Sequence, residues 1–97
     1  MRFTWDPRKS ERNLALRGFD FTFAASIFAA PTLERTDMRR DYGEVRRIAI
    51  GRTHGVCLTV VYTDRLDANR QVIRRIISAR RSKRREYRDY AEAYPES

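Results

Sequence analysis

The sequence contains few of the side chains from which catalytic centres are most often built. Among its 97 residues there is one cysteine, Cys57, and one histidine, His54. A single cysteine excludes an intrachain disulfide bond and is compatible with a reducing compartment. One histidine, one cysteine and scattered carboxylates offer no set of ligands for a zinc ion. We therefore expect no disulfide, no metal site and no cofactor.

Long apolar runs are also missing from the chain. No segment approaches the roughly 20 apolar residues that a membrane-spanning helix needs. The segment Met1–Pro7 lacks the apolar centre of a signal peptide. The sequence thus predicts a cytoplasmic protein without a membrane partner.

Lysine is scarce, with only Lys9 and Lys83, yet the protein is strongly basic. Lysine and arginine together number 21 against 13 acidic residues, which gives a net charge of +8. Almost all of this positive charge is arginine, whose planar guanidinium binds a phosphate through two hydrogen bonds. This balance favours a polyanionic partner, either nucleic acid or an acidic protein. The alternative is that arginine is simply abundant, as in proteins from GC-rich genomes.

The length and composition predict a single domain over residues 1–97. A hydrophobic content of 41% is enough for a folded core. A domain of this size has little room for a deep pocket, so we expect its functional site on an open surface.

Helix caps define the first half of the chain. Asp6 is a typical N-cap, Pro7 suits the first helical position, and Gly18 can end the helix in the left-handed conformation. The elements predicted before the sheet are a strand at Arg2–Trp5 and helices at Pro7–Arg17 and Phe21–Phe28.

The second half is richer in β-branched residues and predicts a sheet followed by a helix. One segment fits both kinds of structure. Its apolar residues follow a helical spacing, but all of them are β-branched, which favours a strand; they are Val72, Ile73, Ile76 and Ile77. The pattern alone therefore leaves residues 70–79 open between helix and strand. The other predicted elements are an ambiguous polar segment at Leu33–Arg40 that fits an edge strand, strands at Val45–Gly51 and Val56–Thr63 joined by a hairpin loop, and a helix capped by Ser82 and ending near Ala93. Together they predict an α+β domain with helices on one side of an antiparallel sheet.

Several short motifs occur in an order that resembles one known family, the BrnT toxins, over nearly the whole chain. The motifs are Phe3-Thr4-Trp5-Asp6-Pro7-Arg8-Lys9 with Asn13 and Gly18 to Phe21, then Tyr42-Gly43-Glu44, Ile48-Ala49-Ile50-Gly51, Val60-Val61-Tyr62-Thr63-Asp64-Arg65, and Arg75-Ile76-Ile77-Ser78-Ala79-Arg80 with Glu86 and Tyr90 downstream. The resemblance implies a RelE-like fold, in which N-terminal helices pack on an antiparallel sheet with a C-terminal helix. It also implies that residues 70–79 form a strand.

The same resemblance implies a function. BrnT proteins are ribonuclease toxins of type II toxin–antitoxin pairs, and a BrnA-type antitoxin neutralises them. That antitoxin is a dimeric DNA-binding protein, so operator DNA is contacted only through the antitoxin. Two positions depart from the family pattern. Arg17 replaces a histidine before the glycine that ends the first helix, and Ala29-Ala30 replaces an acidic pair before Pro31.

Cleavage of RNA by its own 2′-hydroxyl needs proton transfer and stabilisation of charge on the phosphoryl oxygens. Arginine supplies the second but is a poor proton shuttle. Lys9 is therefore the candidate shuttle, with Asn13 one turn further on the same helix face. The alternative is a solvated lysine beside a surface amide. His54 suits acid–base chemistry, but a turn histidine without a role is commoner, and the resemblance does not support it.

Basic residues concentrate between Arg70 and Arg88, where 9 of 19 residues are arginine or lysine. On a strand, Arg74 and Arg75 point to opposite faces, so at most one of them faces a given RNA. Arg80 is the first choice for a phosphate contact. Glu86 is more readily the partner of an arginine than a base, and Tyr87, Tyr90 and Tyr94 fit either base stacking or core packing. The predicted catalytic residues are Lys9, Arg75, Arg80, Glu86 and Tyr90, and the predicted RNA-binding residues are Arg8, Asn13, Arg74, Arg81 and Arg84.

Three functions fit these features. The first is a metal-independent endoribonuclease that inhibits translation. The second is a non-catalytic nucleic-acid-binding module. The third is a protein that binds only an acidic partner. The first should lose cleavage when single site residues change, whereas a binder should lose affinity gradually and in a salt-dependent way.

Overall fold

A computed structural model of the protein describes residues 1–95. In this part of the chain, five strands form one sheet in the order β1-β5-β4-β3-β2. The elements are β1 Arg2–Thr4, α1 Pro7–Arg17, α2 Phe21–Ala25, a 3-10 turn Ser26–Ala29, β2 Leu33–Thr36, β3 Arg47–Thr53, β4 Val56–Leu66, β5 Val72–Arg81 and α3 Arg84–Ala93. The α+β prediction is confirmed. The sheet is antiparallel except at β1, which pairs in parallel with β5.

The predicted helix caps hold the N-terminal region as expected. The carboxylate of Asp6 accepts a hydrogen bond from the backbone N–H of Arg8 at 2.9 Å, and Gly18 ends α1 with a φ of 84°. Asp20 caps α2 in the same way, through the backbone N–H of Phe23. The second helix is shorter than predicted. Its α-helical part ends at Ala25, and the chain continues to Ala29 as a tighter 3-10 turn before Pro31.

The segment with the ambiguous pattern forms strand β5. It pairs with β4 along its length, but the register shifts between Ser78, which faces Val61, and Ile76, which faces Tyr62. Ile77 is the extra residue of this β-bulge, and it interrupts the strict alternation of side chains. The spacing of Ile73, Ile76 and Ile77 therefore imitates a helix although the residues lie on a strand.

Helices pack on both faces of the sheet, so the expectation of helices on one side is wrong. The 3-10 turn after α2 lies against Gly51 of β3, and its Ser26 hydroxyl hydrogen-bonds that of Thr53. Arg52, the next residue along β3, points to the opposite face, where its guanidinium lies over the rings of Tyr87 and Tyr90 on α3. The central strands are apolar on both faces, and each face therefore needs a cover. We call these surfaces the α1–α2 face and the α3 face.

Tyr90 anchors α3 to the edge of the sheet. Its side chain is fully buried, and its hydroxyl donates a hydrogen bond to the carbonyl of Pro31 at 2.9 Å. The hydroxyl of Tyr94 makes the equivalent bond to Thr32. These two bonds join the C-terminal helix to the start of β2. The N-terminal end of α3 is held beside the end of β5 by the two hydrogen bonds between Arg80 and Glu86.

Gly51 allows the 3-10 turn to approach β3 closely. A Cβ atom at this position would lie 2.9 Å from Cβ of Ile27 and 3.1 Å from Cγ2 of Thr32. We expect Gly51→Ala to lower the free energy of unfolding by about 1–3 kcal/mol, because the added methyl group overpacks this contact. Urea denaturation measures the change. The double variant with Ile27→Val should lose less than the sum of the two single losses, since valine lacks the crowded Cδ1 atom. An unchanged unfolding midpoint for Gly51→Ala would contradict this packing.

Candidate functional site

The ion pairs divide the arginines into two groups. Seven arginines bind carboxylates within the described residues; they are Arg2, Arg39, Arg46, Arg47, Arg65, Arg74 and Arg80. A second group of basic side chains has no ion pair or side-chain hydrogen bond within residues 1–95; it includes Arg8, Lys9 and Arg12 near the start of α1, Arg75 and Arg81 on β5, and Arg84, Arg85 and Arg88 on α3. The second group is the part of the positive charge that no carboxylate of residues 1–95 neutralises.

Arg80 and Glu86 form the best-ordered charged pair near that second group. Two guanidinium nitrogens of Arg80 donate to the two carboxylate oxygens of Glu86, at 2.7 and 2.8 Å. The backbone N–H of Lys83 donates to the same carboxylate at 2.7 Å. The hydrogen bonds from Arg80 are the main cause that lowers the pKa of Glu86 to about 2. Glu86 is therefore ionised at neutral pH and occupied by donors, which suits a positioning residue better than a base.

The start of α3 differs from the prediction by one residue. The N-cap is Lys83, whereas Ser82 stays bound to the sheet. The backbone N–H of Ser82 donates to the carbonyl of Cys57 at 2.9 Å, and its hydroxyl hydrogen-bonds that of Thr59 at 2.8 Å. Because Ser82 still pairs with β4, the helix begins only after it. This arrangement fixes the turn between β5 and α3, which carries the Arg80–Glu86 pair.

Arg39 is an exposed, carboxylate-bound arginine that the sequence did not single out. The carboxylate of Asp37 is fully buried, and it accepts hydrogen bonds from the backbone N–H, Nε and Nη2 of Arg39 at 3.1, 2.8 and 2.7 Å. The Arg39 side chain is 69% exposed, so one guanidinium is held rigidly while still facing solvent. The charge of Arg39 also acts on Arg80. The hydrogen bonds between Arg80 and Glu86 raise the pKa of Arg80, whereas burial and the like charge of Arg39 act in the opposite direction. Nothing in the sequence distinguishes Arg39 from Arg40, because the buried position of Asp37 depends on the tertiary fold.

Arg74 and Arg75 lie on opposite faces, as strand alternation predicts. Arg74 lies on the α1–α2 face, where it binds both carboxylate oxygens of Asp64 at 2.8 and 2.9 Å. Its guanidinium also lies 4.0 Å from the ring centroid of Tyr62 and 4.7 Å from that of Phe28. Arg74 is thus part of the packing. Arg75 lies opposite Thr63, on the same face as Arg80.

Lys9 lies beside the bulged end of β5. It lines a small depression of about 150 Å³ between α1 and β5, together with Arg12, Arg17 and Ser78. The predicted partner Asn13 is buried, and its amide donates to the carbonyl of Phe19 at 2.9 Å. Asn13 therefore holds the connection between α1 and α2.

Arg17, at the position that departs from the family pattern, has a structural contact. Its Nη1 donates a hydrogen bond to the carbonyl of Ala79 at 2.8 Å. Ala79 lies in the part of β5 beyond the strand pairs with β1, which end at Arg75. Arg17 therefore satisfies a carbonyl at this edge of the sheet. The other departure, Ala29-Ala30, is exposed and lines a depression of about 600 Å³ on the α1–α2 face.

The remaining candidates lie apart from Arg80 or have other roles. The hydroxyl of Tyr90 is used by Pro31, as described above. Arg81 is exposed on the opposite face and lines a depression near Leu14 and Phe23. Arg84 is exposed at the first position of α3. His54 lies in a two-residue hairpin turn, and its ring stacks on that of Phe23 with the centroids 5.3 Å apart.

The structure thus brings together part of the predicted set. Arg80 and Glu86 are in contact, Arg75 lies on the same face, and Arg84 begins the adjoining helix. Lys9 lines the neighbouring depression with Ser78. In the described part of the chain, no helix is long and apolar enough to cross a membrane. Residues 1–95 also contain no group of three or more histidine, cysteine or carboxylate side chains placed to hold a metal ion.

These features define a small α+β protein with an arginine-rich surface at the junction of β5 and α3. The model of one family matches this chain over residues 5–86, and its description is the ribonuclease toxin BrnT of type II toxin–antitoxin systems. The chain belongs to this family and is a toxin of that class. A comparison with curated proteins gives no significant match. The matched range includes Lys9, Arg39, Arg80 and Glu86 but ends before Tyr90.

The lowered pKa of Glu86 predicts a specific loss of stability in acid. Its value of about 2 lies below the usual 4.5, so the pair stabilises the fold above pH 4.5 and loses this effect as the pH falls toward 2. Glu86→Gln keeps an acceptor for Lys83 but removes the charge. We expect it to lower the free energy of unfolding at pH 7 by about 2 kcal/mol and to flatten its pH dependence in this window.

Denaturation with urea at a series of pH values measures both effects. Glu92→Gln is the matched control, because Glu92 lies exposed on the same helix. The control should keep the profile of the unaltered protein. A Glu86→Gln profile that runs parallel to the original would show that the Arg80 pair does not stabilise the fold.

Proposed function

We propose that this toxin cleaves RNA without a metal ion, through attack of the ribose 2′-hydroxyl on the adjacent phosphate. The observation that carries the proposal is Arg80, which Glu86 holds in a fixed orientation on an open face. Arg39, itself held by Asp37, adds a second positive charge close by. A guanidinium whose orientation is already fixed by a carboxylate loses little side-chain entropy when its remaining N–H groups bind a phosphate. A phosphate in its trigonal-bipyramidal transition state carries more negative charge than the bound substrate and gains the most from such a site.

The residues divide the chemistry as follows. The bond between the 2′ oxygen and phosphorus forms, and the bond from phosphorus to the 5′ oxygen breaks. A proton leaves the 2′ oxygen, and a proton is donated to the departing 5′ oxygen. Arg80 and Arg75 stabilise the charge on the non-bridging oxygens. Lys9 is the proton shuttle. Glu86 and Tyr90 act as positioning residues, the first for the Arg80 guanidinium and the second for helix α3.

The RNA strand is bound by the basic side chains that lack internal partners. Arg8 lies at the start of α1 and Arg84 at the start of α3. Asn13 contributes by holding α1 in place rather than by contacting RNA. We leave Arg74 and Arg81 outside the surface, because they lie on the opposite face of β5. Lys9 belongs to the surface because it lines a depression with Ser78, which is on the same face of β5 as Arg80.

The family also supports an antitoxin partner. We propose a BrnA-type DNA-binding protein in that role, so that operator DNA is contacted only through the antitoxin. The single cysteine fits a reducing compartment, and we propose that the toxin acts in the cytoplasm on the RNA used in translation.

A non-catalytic module that binds nucleic acid or the antitoxin is the second candidate. The observation in its favour is the scarcity of proton shuttles, since His54 stacks on Phe23 and Glu86 is occupied by Arg80. The two functions separate in a cleavage assay with naked RNA.

Cleavage of naked RNA in EDTA tests the proposed mechanism. We expect products with 2′,3′-cyclic phosphate ends. Arg80→Ala should slow cleavage by about 10²- to 10³-fold, as expected for loss of one donor to a developing oxyanion. Lys9→Ala should slow it by about 100-fold or more, as expected for loss of an acid–base group.

Arg2→Ala is the control for the loss of one arginine, because Arg2 is exposed on the edge strand β1 and its guanidinium is already paired with Asp67. It should cleave like the unaltered protein. Folded protein that leaves RNA intact in EDTA would overturn the metal-independent nuclease on free RNA. Cleavage that survives both site variants would show that the site lies elsewhere.

The neighbours Arg74 and Arg75 form a matched pair for testing the binding surface. A 2′-O-methyl oligonucleotide serves as the ligand, because it lacks the attacking hydroxyl. Arg75→Ala should weaken binding and reduce the slope of log affinity against log salt concentration by about 1. Arg74→Ala should leave that slope unchanged but lower the free energy of unfolding by about 1–3 kcal/mol, since Arg74 packs on two rings. The reverse assignment of effects would place RNA on the α1–α2 face.

A further inference from the structure

The loop between β2 and β3 carries an aromatic ring that two arginines approach. The guanidinium of Arg46 lies 4.1 Å from the ring centroid of Tyr42, and that of Arg40 lies 5.0 Å from it. Both distances are within the range of cation–π contacts. This loop, residues 37–46, is also the source of Arg39. It therefore lies next to the proposed phosphate site.

The loop is held in place by bonds at both of its ends. The backbone N–H of Asp37 donates to the carbonyl of Arg46 at 2.7 Å, and the hydroxyl of Thr63 donates to the carbonyl of Val45 at 2.8 Å. Thr63 is the strand neighbour of Arg75. The loop thus lies along the α3 face, beside the residues proposed to bind phosphate. A ring on so constrained a loop presents a preformed contact surface.

The two arginines at the ring differ in their freedom. The Arg46 side chain is 25% exposed and bonded to Glu44 at 3.0 Å, so its position is fixed. Arg40 is exposed, and within residues 1–95 it forms no ion pair and no side-chain hydrogen bond. Its contact with Tyr42 can therefore be exchanged for another at little cost. An approaching ligand can take the place of Arg40 without disturbing the loop.

A depression of about 410 Å³ lies in this loop, lined by Tyr42, Arg40 and Arg46. Its volume falls in the range of about 300–1,000 Å³ that is typical of small-ligand sites. Met38 and Val45 also line it, although their side chains are 82% and 68% exposed. The lining also includes three carboxylates, Asp37, Asp41 and Glu44, of which Asp37 and Glu44 are bonded to arginines. An aromatic ring beside an exposed arginine is a combination that binds single-stranded RNA, whose bases stack and whose phosphates pair with arginine.

We propose that Tyr42 is the stacking surface for one base of single-stranded RNA, with Arg46 holding the ring and Arg40 moving to a phosphate of the bound strand. This inference rests on the proposed cleavage of RNA at Arg80. It adds a base-binding subsite to a surface that otherwise contacts only phosphates. The subsite lets the toxin position a single-stranded segment relative to the scissile phosphate.

A series of 2′-O-methyl oligonucleotides tests this subsite, each with a single 2-aminopurine at a different position. Stacking quenches the fluorescence of 2-aminopurine, and anisotropy of an end label gives the affinity. We expect quenching at one position with the unaltered protein. Tyr42→Leu should abolish that quenching and weaken binding by roughly 5- to 150-fold, the range for loss of one stacked base. Tyr42→Phe keeps the ring and should retain both.

The outcomes separate this proposal from the proposed function. Binding and quenching that are unchanged in Tyr42→Leu would overturn the subsite and leave the basic surface intact. Quenching lost in Tyr87→Leu instead would overturn it in favour of the exposed tyrosine on α3. Failure of the unaltered, folded protein to bind any oligonucleotide would overturn both the subsite and the RNA surface. Thermal unfolding of each variant verifies that it is folded.

Discussion

The excess of arginines over carboxylates governs this structure. With 21 basic and 13 acidic residues, not every arginine can have an internal partner. Some carboxylates are also used elsewhere, since Asp6 and Asp20 cap helices and Asp67 accepts backbone bonds in the β4–β5 turn. The position of each remaining carboxylate decides which arginines form internal ion pairs. Arginines beyond its reach form the charged surface that faces solvent, and that surface lies mainly along the start of α1, the end of β5 and the exposed side of α3.

Two carboxylates have a different effect, because they orient an arginine without burying it. Asp37 and Glu86 each hold a guanidinium through two hydrogen bonds, while Arg39 and Arg80 stay accessible. An arginine fixed in this way loses little side-chain entropy when it binds a phosphate. Each pair is neutral overall, so Asp37 and Glu86 fix the direction of a guanidinium without adding net positive charge to the surface. The same carboxylates stabilise the fold, so the site and the stability of the protein share their interactions.

Local rules predicted much of the fold, and tertiary contacts decided the rest. Asp6, Pro7 and Gly18 mark the ends of α1 because a cap depends only on neighbouring residues. The opposite orientation of Arg74 and Arg75 follows from strand alternation alone. The bulge at Ile77 was not predictable, since it depends on the register with β4, and it is the reason why β5 has a helix-like pattern. The family resemblance implied a strand there, which is correct. The packing of α3 on the second face depends on residues distant in the sequence, such as Tyr90 with Pro31. The buried position of Asp37 depends on the closure of its loop, where its backbone N–H donates to the carbonyl of Arg46.

The depression of about 600 Å³ that Ala29 and Ala30 line is not the best candidate for the chemistry. It lies on the α1–α2 face, where Phe3 and Phe28 stack and where Arg74 is already bound to Asp64. A small substrate would need such an enclosed volume, because all its binding energy must come from one place. A polymer does not, since each further phosphate or base adds contacts along an open surface. For a protein of 97 residues, a charged face with arginines oriented by carboxylates is therefore a more attainable design than a pocket. A short chain leaves little room for a deep pocket, and an arginine-rich surface can bind a polymer without one.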